Sequence, residues 1–281
     1  MFRIKEVGCG ESHTEGARQK VSIVLDANAD IDTVFLFSDF DGTLAPIRKD
    51  PAKVTLSLRA RKVLIQLSHS IPVAIISGRS LAFLEKTIAI PGVFLAGNHG
   101  LEIKMGADHY RHPEAVACEK MMQRLANTLK KAFRGIDGIL IEEKGLTLTF
   151  HYRQVVPHKR EVVCKMFYDR FVEGNLKITA GKMALEVRPN IDWGKKDAIL
   201  WMLENYKKHF PKRNVVPIYV GDDETDRVAL EAIKKIGISI AIGVSMPATF
   251  FLPSQTQYIE LLRQVQLDFC SKEKYKGVIN G

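Results

Sequence analysis

Short apolar runs bounded by turn residues recur along this chain, and stretches of helical periodicity separate them. The apolar runs lie at 33–38, 72–76, 93–96, 215–220 and 238–243. The helical patterns lie at 57–68, 80–89, 195–209 and 225–236. Short runs that are apolar throughout are typical of parallel strands buried on both faces. Their alternation with helices predicts an α/β fold with a doubly wound, Rossmann-like parallel sheet.

The segment 106–184 departs from this alternation. Its helical patterns, one containing Met121 and one containing Val162, each precede a stretch in which polar and apolar residues alternate, at 146–153 and 182–188. Alternation with a period of two predicts strands with one buried face and one open face. This segment is therefore predicted to be an α+β cap domain inserted into the α/β core.

These patterns divide the chain into three parts. We predict an N-terminal extension over 1–32, a core built from 33–105 and 185–270, and a cap over 106–184. In the extension, residues 21–25 fit either a short helix or a strand. The last helix is predicted to begin after Ser254 and to run to about Phe269.

The composition narrows the class of protein. Hydrophobic residues make up 46% of the chain, yet no run of about 18 apolar residues indicates a membrane span. The net charge of +9 is compatible with nucleic acid, an anionic surface, a phosphorylated substrate or simply a solvated surface. Because no RRM-type or arginine-rich motif accompanies that charge, we expect no nucleic acid partner.

The four cysteines lie far apart and show no CxxC spacing. This argues against a zinc site and predicts free thiols in a reducing compartment, so we expect a cytoplasmic protein. The N-terminus carries scattered charges without an apolar core, so we expect no signal peptide.

Acidic residues follow two of the predicted strands at the same relative position. Asp39 and Asp41 come after the strand at 33–38, and Asp222 and Asp223 follow the strand at 215–220. In an open parallel sheet the carboxyl ends of the strands form the ligand site. Several carboxylates at one point repel each other unless a cation lies among them, and oxygen ligands favour Mg²⁺. Each cluster alone also fits an Asp-Gly turn or a helix N-cap, but the two together favour a metal site.

Two further strand ends fit an anion near these acids. Ser77 and the amides around Gly78 follow the strand at 72–76, where a helix N-terminus can bind phosphate, although Ser77 also fits a plain N-cap. Lys195 begins the helix at 195–209 and can balance phosphate charge as a point cation, although it also fits a solvated lysine.

These groups predict phosphoryl transfer through a covalent intermediate. A carboxylate can attack phosphorus and form an aspartyl-phosphate, the role that we assign to Asp39. Asp41, two residues on, can protonate the leaving alcohol and later deprotonate water. Mg²⁺ and Lys195 then stabilise the phosphoryl charge.

The motifs Asp39-Phe-Asp41-Gly-Thr, Ser77, Lys195 and Gly221-Asp-Asp223 occur in the order that characterises the haloacid dehalogenase superfamily. The inserted cap resembles its type C2 caps. Within it, the stretches SDFDGTLAPI, LAGNHGLEI, HYR, LEVRPNIDWGK and YVGDDETD are similar to the trehalose-6-phosphate phosphatase family over about residues 35–265.

The resemblance implies a set of sites. Mg²⁺ is expected on Asp222, Asp39 and the carbonyl of Asp41, with Asp223 and Asp226 ligating directly, through water, or by supporting the loop. Substrate-binding positions are expected in the core and on the cap: Arg79, Asn98, His99, His151, Arg153, Lys182, Glu186 and Arg188. Asn98 departs from relatives that carry Ser or Glu before the histidine.

The strand pattern supports the cap positions independently. Lys182, Glu186 and Arg188 share one strand face, whereas Met183 and Leu185 share the other. A polar face of this kind suits the hydroxyl groups of a sugar, although it also fits a solvated sheet face.

The implied function is a Mg²⁺-dependent phosphatase that converts trehalose 6-phosphate into trehalose and phosphate. We expect a monomer with this small-molecule substrate and no membrane partner. The same chemistry on sucrose 6-phosphate or mannosyl-3-phosphoglycerate is an alternative, because substrate choice depends on pocket shape. A non-catalytic regulatory domain is the alternative from another class, and the intact motif residues argue against it.

Overall fold

The computed structural model describes residues 3–7, 20–24, 31–48, 50–171, 174–181 and 183–276. Its first two strands, β1 (Arg3–Val7) and β2 (Lys20–Val24), form an antiparallel pair of their own. The stretch that the sequence left open between helix and strand therefore contains a strand.

The core is an eight-stranded sheet within the described residues. Its strands are β3 (Thr33–Ser38), β4 (Val73–Ile76), β5 (Val93–Gly97), β6 (Glu102–Met105), β7 (Asp108–Arg111), β12 (Val215–Gly221), β13 (Ile238–Ile242) and β14 (Phe250–Leu252). Their order across the sheet is β14-β13-β12-β3-β4-β5-β6-β7, and the first six run parallel. The carboxyl ends of β3, β4 and β12 therefore lie side by side.

Helices cover both faces of this sheet. One face carries α1 (Leu58–Ser68), α2 (Leu81–Ile88) and α8 (Gln255–Lys276), and the other carries α6 (Lys195–His209) and α7 (Arg227–Lys234). Strand β3 is buried throughout because Val34 and Leu36 point to the first layer and Phe35 and Phe37 to the second. The prediction of a doubly wound α/β core is confirmed. Helix α8 begins after Ser254, as predicted, but continues to Lys276 rather than Phe269.

The antiparallel strands at one edge of the sheet differ from the prediction. Strand β6 pairs with β5, and β7 pairs with β6, so residues 108–111 belong to the core sheet and not to the cap. These two strands are short and carry many polar residues; β7 is the edge strand of the sheet and β6 lies next to it. They therefore lack the apolar run that revealed the central strands.

The cap is a four-stranded antiparallel sheet with helices on one face, again within the described residues. Its elements are α3 (Pro113–Ala117), α4 (Glu119–Ala132), β8 (Leu140–Glu143), β9 (Leu148–His151), α5 (Arg160–Tyr168), β10 (Leu176–Gly181) and β11 (Ala184–Pro189). The strand order is β10-β11-β9-β8. Leu129, Phe150, Phe167 and Val187 pack between the helices and this sheet. The opposite face carries Glu142, Thr149 and Glu186 in one row across β8, β9 and β11.

Three details of the cap differ from the sequence prediction. Val162 is 59% exposed, so it lies outside the apolar face of α5. Met183 has a φ of 60° in the turn between β10 and β11, and it is 40% exposed rather than part of the buried strand face. The predicted boundary between residues 184 and 185 falls inside β11, because that whole strand pairs with cap strands.

Among the described helices, none combines the length and apolar character that crossing a membrane requires.

Candidate active site

The turn after β3 places Asp39 and Asp41 at the carboxyl edge of the core sheet. The Asp39 N–H donates to the carbonyl of Val220 in β12 (2.9 Å), which ties this turn to the neighbouring strand end. Gly42 has a φ of +94°, and a Cβ built there would lie 2.1 Å from Asp222 Oδ2. Glycine is required because the backbone conformation is left-handed and because Asp222 approaches so closely. The Asp-Gly turn therefore brings the two acidic clusters together.

Lys195 joins both acidic clusters from the first turn of α6. Its Nζ donates to Asp39 Oδ1 (2.7 Å) and to Asp226 Oδ1 (2.6 Å), and the residue is 5% exposed. Burial alone would lower the pKa of this lysine, but the carboxylates of Asp226 and Asp39 raise it well above its usual value. Lys195 is therefore a fixed cation beside Asp39 and not a solvated lysine.

Asp226 organises the loop after β12. Its Oδ1 accepts from Lys195 and from the hydroxyl of Tyr219, while its Oδ2 accepts the N–H groups of Asp222 (3.0 Å) and Asp223 (3.2 Å). Asp39, Asp222 and Asp226 each offer an oxygen within 4.8 Å of the others. Because four donors already engage Asp226, it suits positioning the lysine and the loop better than binding a cation.

Asp39 and Asp222 have the properties of a cation-binding pair. Burial raises the pKa of Asp39 well above its usual value, and the nearby carboxylates of Asp226 and Asp222 add to this. Burial also raises the pKa of Asp222 to about 6, although Thr43 donates a hydrogen bond (2.9 Å) to its carboxylate. The carboxylates of buried Asp39 and half-buried Asp222 both resist ionisation, so the pair fits a hard divalent cation, which would neutralise both charges. Asp223 instead accepts from the N–H and hydroxyl of Thr225.

The loop after β4 provides hydrogen-bond donors on the opposite side of Asp39 and Asp41. Ser77 is buried, and its Oγ accepts the N–H of Arg79 (3.2 Å), which leaves the hydroxyl proton available for another acceptor. Arg79 holds both carboxylate oxygens of Asp41 (2.8 and 2.7 Å) and the carbonyl of Pro51 (3.1 Å). A Cβ at Gly78 would lie 2.7 Å from Nε2 of His99, so glycine permits that imidazole to pack against the loop.

Charged groups join the cap to this loop. Glu186 accepts from Lys144 Nζ (2.6 Å) and contacts His99 Nε2 (2.9 Å), while the same Nζ donates to the carbonyl of Gly78 (2.9 Å). Burial alone would raise the pKa of Glu186, but Lys144 and His99 hold it well below its usual value. Glu186 is therefore a carboxylate that bridges cap and core.

Glu142 forms the second charged bridge. It contacts His151 within the cap (2.9 Å) and approaches Arg79 Nη1 of the core (3.9 Å). Burial would raise the pKa of Glu142, but the hydrogen bond with His151 and the charges of Lys144 and Arg79 lower it. Through Arg79, this bridge reaches the Asp41 carboxylate.

A cavity of about 600 Å³ lies between cap and core. Asp41, Arg79, Asp222 and Asp223 form part of its core wall. His151, Arg153, Ala180 and Ala184 line it from the cap. The volume is within the range of small-molecule sites.

The residues predicted to bind substrate do not all lie in the same part of the structure. Arg79, His151 and Arg153 line the cavity. His99 of the core and Glu186 of the cap contact each other (2.9 Å). Arg188 donates to the carbonyl of Trp193 (2.9 Å), in the linker back to the core. Asn98 is fully buried between cap and core. Lys182 lies outside the described residues.

Sequence reasoning missed Glu142 and Lys144. Both follow the short run Leu140-Ile141, where strand β8 was not predicted because two glutamates interrupt the apolar pattern. The available signal was that Glu142 and Lys144 are two positions apart, which places both side chains on the same face of an extended chain. Thr43 and Tyr219 were also missed, since a single hydroxyl in a turn or buried strand carries no periodic signal.

The bridge at Glu186 predicts a pH-dependent contribution to stability. At neutral pH, Glu186→Gln should lower the free energy of unfolding by about 1–3 kcal/mol, because Lys144 loses a buried counter-charge. The pKa of Glu186 is lower in the folded protein than its ordinary value of 4.5. The wild-type advantage is therefore complete above that value and disappears as the pH falls through the folded pKa.

Urea unfolding between about pH 3 and about pH 7 measures this difference. Glu143→Gln is the matched control, because Glu143 pairs with Lys130 at the surface and should change stability by less than about 0.5 kcal/mol. A difference between wild type and Glu186→Gln that stays constant over the whole range would contradict the ionised bridge.

Comparison with known proteins assigns the family. The trehalose-phosphatase family model matches residues 37–253. The trehalose-phosphate phosphatase of Mycobacterium marinum is 33% identical over 211 residues, which are 74% of this chain and 53% of that protein. The chain thus spans about half the length of the curated relatives it matches.

Two solved structures show the shared fold. The C-terminal domain of Candida albicans trehalose-6-phosphate phosphatase has a TM-score of 0.67 at 24% identity, covering 83% of this chain and 92% of that one. A haloacid dehalogenase-like hydrolase from Bacteroides thetaiotaomicron has a TM-score of 0.58 at 16% identity, covering 83% and 99%. The resemblance of the sequence motifs is confirmed: this chain belongs to the trehalose-phosphatase family.

Proposed function

We propose that this protein is a Mg²⁺-dependent phosphatase that hydrolyses trehalose 6-phosphate to trehalose and phosphate. The observation that carries the proposal is the position of Asp39 in a cluster of charged groups at the carboxyl edge of the core sheet, next to Asp41 and Asp222, which line the cap–core cavity. It lies beside the fixed cation Lys195 and within reach of a second carboxylate, Asp222. Membership of the trehalose-phosphatase family supports the choice of substrate.

The first step forms a bond between Asp39 and phosphorus. Lys195 holds Oδ1 of Asp39, so the other oxygen attacks the phosphoryl group. The bond from phosphorus to O6 of the sugar breaks, and Asp41 gives its proton to that oxygen. Arg79 orients Asp41 for this transfer through its two hydrogen bonds. The products are trehalose and an aspartyl-phosphate at Asp39.

The second step reverses the role of Asp41. As a carboxylate it takes a proton from a water molecule, whose oxygen attacks phosphorus and displaces the Asp39 carboxylate. Phosphate leaves and both aspartates return to their starting states. Ser77, the Gly78 amide and Lys195 bind the phosphoryl oxygens in both steps. Mg²⁺ held by Asp39, Asp222 and the Asp41 carbonyl would neutralise phosphoryl charge, and Asp223 supports this loop through Thr225.

The cap supplies the groups for the sugar. Glu142, Lys144 and Glu186 place two acceptors and one donor at the cap–core edge, near the predicted residues His99 and His151. In the structure these groups satisfy one another: Lys144 pairs with Glu186 and His151 with Glu142 within the cap, and His99 of the core contacts Glu186. Sugar hydroxyls would exchange with those contacts when the cap moves away from the core and returns, which excludes water from Asp39.

Phosphate release from a panel of substrates tests the proposal. Trehalose 6-phosphate, sucrose 6-phosphate, glucose 6-phosphate and p-nitrophenyl phosphate would each be supplied with Mg²⁺ and with EDTA. We expect release from trehalose 6-phosphate at least about tenfold faster, in kcat/KM, than from the other sugar phosphates. EDTA should remove the activity. Faster release from sucrose 6-phosphate would overturn the substrate, and no release from any compound would favour a regulatory domain.

A further inference from the structure

The turn after β5 connects the core to the cap through an asparagine. Asn98, His99 and Gly100 have consecutive positive φ values of 51°, 57° and 93°. Two backbone bonds hold this turn against the loop after β4: Asn98 N–H donates to the carbonyl of Arg79 (2.7 Å) and His99 N–H to that of Ser77 (2.9 Å). Such strained conformations persist only where the surroundings fix them. The position of Asn98 is therefore set by the loop that carries Ser77.

The Asn98 side chain makes three hydrogen bonds, two of them to the cap. Its Nδ2 donates to Glu102 Oε2 in the core (2.8 Å) and to the backbone carbonyl of Lys144 (2.9 Å). Its Oδ1 accepts from the Thr147 hydroxyl (2.7 Å). The orientation of the amide is determined, because a carbonyl and a carboxylate can only accept. The side chain is fully buried, so the substrate contact predicted for Asn98 is replaced by contacts within the protein.

The cap segment that Asn98 holds is the turn between β8 and β9. Lys144 N–H donates to the carbonyl of Thr147 (3.0 Å), which closes this turn. Leu146, inside the turn, is fully buried against Leu101 and Ala115, next to the linker residue Trp193. The turn is therefore anchored to the core by apolar packing and by Asn98, beside the point where the chain re-enters the core.

Lys144 extends from this anchored turn to the loop after β4. Its Nζ reaches both the carbonyl of Gly78 and Glu186 Oε1, while its own backbone carbonyl is the group that Asn98 holds. We propose that Asn98 and Thr147 are positioning residues that fix the Lys144 ammonium over the loop of Ser77 and thereby set sugar recognition. This inference rests on the proposed function, because Lys144 is taken to bind the sugar.

The geometry explains why asparagine is suited to this position. Aspartate has the same shape but no donor, so it would place a carboxylate against Glu102 and the Lys144 carbonyl. Serine is too short to reach both elements. Asparagine also adopts left-handed backbone more readily than most residues, which the φ of 51° requires.

Matched variants at Thr147 provide the test. Thr147→Val removes the hydroxyl with little change of shape, whereas Thr147→Ser retains it. We expect Thr147→Val to raise KM for trehalose 6-phosphate about tenfold, the effect of losing one buried hydrogen bond, with kcat changed less than about threefold. Turnover of p-nitrophenyl phosphate, which has no sugar, should stay within about twofold. Thr147→Ser should restore the wild-type KM, and Asn98→Asp should raise KM further.

A second measurement does not depend on the substrate. Hydrogen exchange of the peptide covering 140–151 should be faster in Thr147→Val and Asn98→Asp than in wild type and Thr147→Ser. Unchanged exchange together with unchanged KM would overturn the proposal. An equal loss of activity on both substrates would overturn it as well, because the effect would then act on the phosphoryl site. If wild type releases phosphate only from p-nitrophenyl phosphate, trehalose 6-phosphate is not the substrate. Hydrogen exchange would then still test whether Asn98 and Thr147 hold the turn between β8 and β9.

Discussion

Asp39→Asn is expected to remove phosphate release without weakening the fold. The amide cannot attack phosphorus, so kcat for trehalose 6-phosphate should fall at least about 10⁴-fold, as for the loss of a covalent nucleophile. Stability should respond in the opposite direction. The raised pKa of Asp39 shows that the folded protein disfavours the charged form, even with the attraction of Lys195 included. Removing the charge should therefore leave the metal-free protein as stable as wild type or more stable.

Thermal unfolding in EDTA and in Mg²⁺ separates these effects. In EDTA, the melting temperature of Asp39→Asn should equal or exceed that of wild type. Mg²⁺ should raise the melting temperature of wild type but not that of the variant, which has lost one of the proposed ligands. Asp108→Asn, at an exposed position of β7, is the control for the substitution itself. An active Asp39→Asn protein would rule out Asp39 as the nucleophile.

Lys195→Met is expected to remove activity and also to destabilise the fold. Lys195 is buried between Asp39 and Asp226, and the raised pKa of the lysine shows that the folded protein favours its charge. Losing one partner of a buried charge network costs about 3–5 kcal/mol. Activity should fall at least about 10³-fold, because the phosphoryl charge loses its fixed cation. The stability that Lys195 adds is present at neutral pH and lost only as the pH rises through its raised pKa.

The neighbouring lysine provides the control. Lys196 pairs with Asp197 (3.2 Å), and its side chain is 36% exposed, so Lys196→Met should change stability by less than about 0.5 kcal/mol and retain activity. Urea unfolding at neutral pH measures both variants. In Asp39→Asn/Lys195→Met, part of the stability should return, because one of the unpaired carboxylates is gone. Equal stability of Lys195→Met and Lys196→Met would show that the buried network adds nothing to the fold.

Some expectations stay predictions. The cytoplasmic location, the monomeric state and the direct binding of Mg²⁺ to the aspartates belong to this group. The panel of substrates and the melting temperature with and without Mg²⁺ test the expected binding of Mg²⁺.

The central strands of the core could be predicted from the amino-acid sequence alone. Strands β3, β4, β12 and β13 are buried on both faces, so each needs a continuous apolar run, and such runs are visible without a structure. Acidic residues follow two of these runs, and this was enough to predict that the two acidic clusters lie close together, because neighbouring parallel strands end at one edge of the sheet. The family motifs at Asp39, Ser77 and Asp222 are short stretches that directly follow a central strand, so they can be found in the sequence without a structure.

The contacts between cap and core, in contrast, became visible in the folded structure and could not be predicted from the sequence. Strands β6, β7 and β8, at or next to the edge of a sheet, are short and partly polar, so their pattern does not differ from that of loops. The roles of Asn98, Lys144 and Arg188 depend on partners 46, 42 and 5 positions away. A polar side chain carries no sign of whether it will meet a substrate, a carbonyl or an opposite charge. That outcome is fixed when packing of the two domains brings distant residues within hydrogen-bond distance.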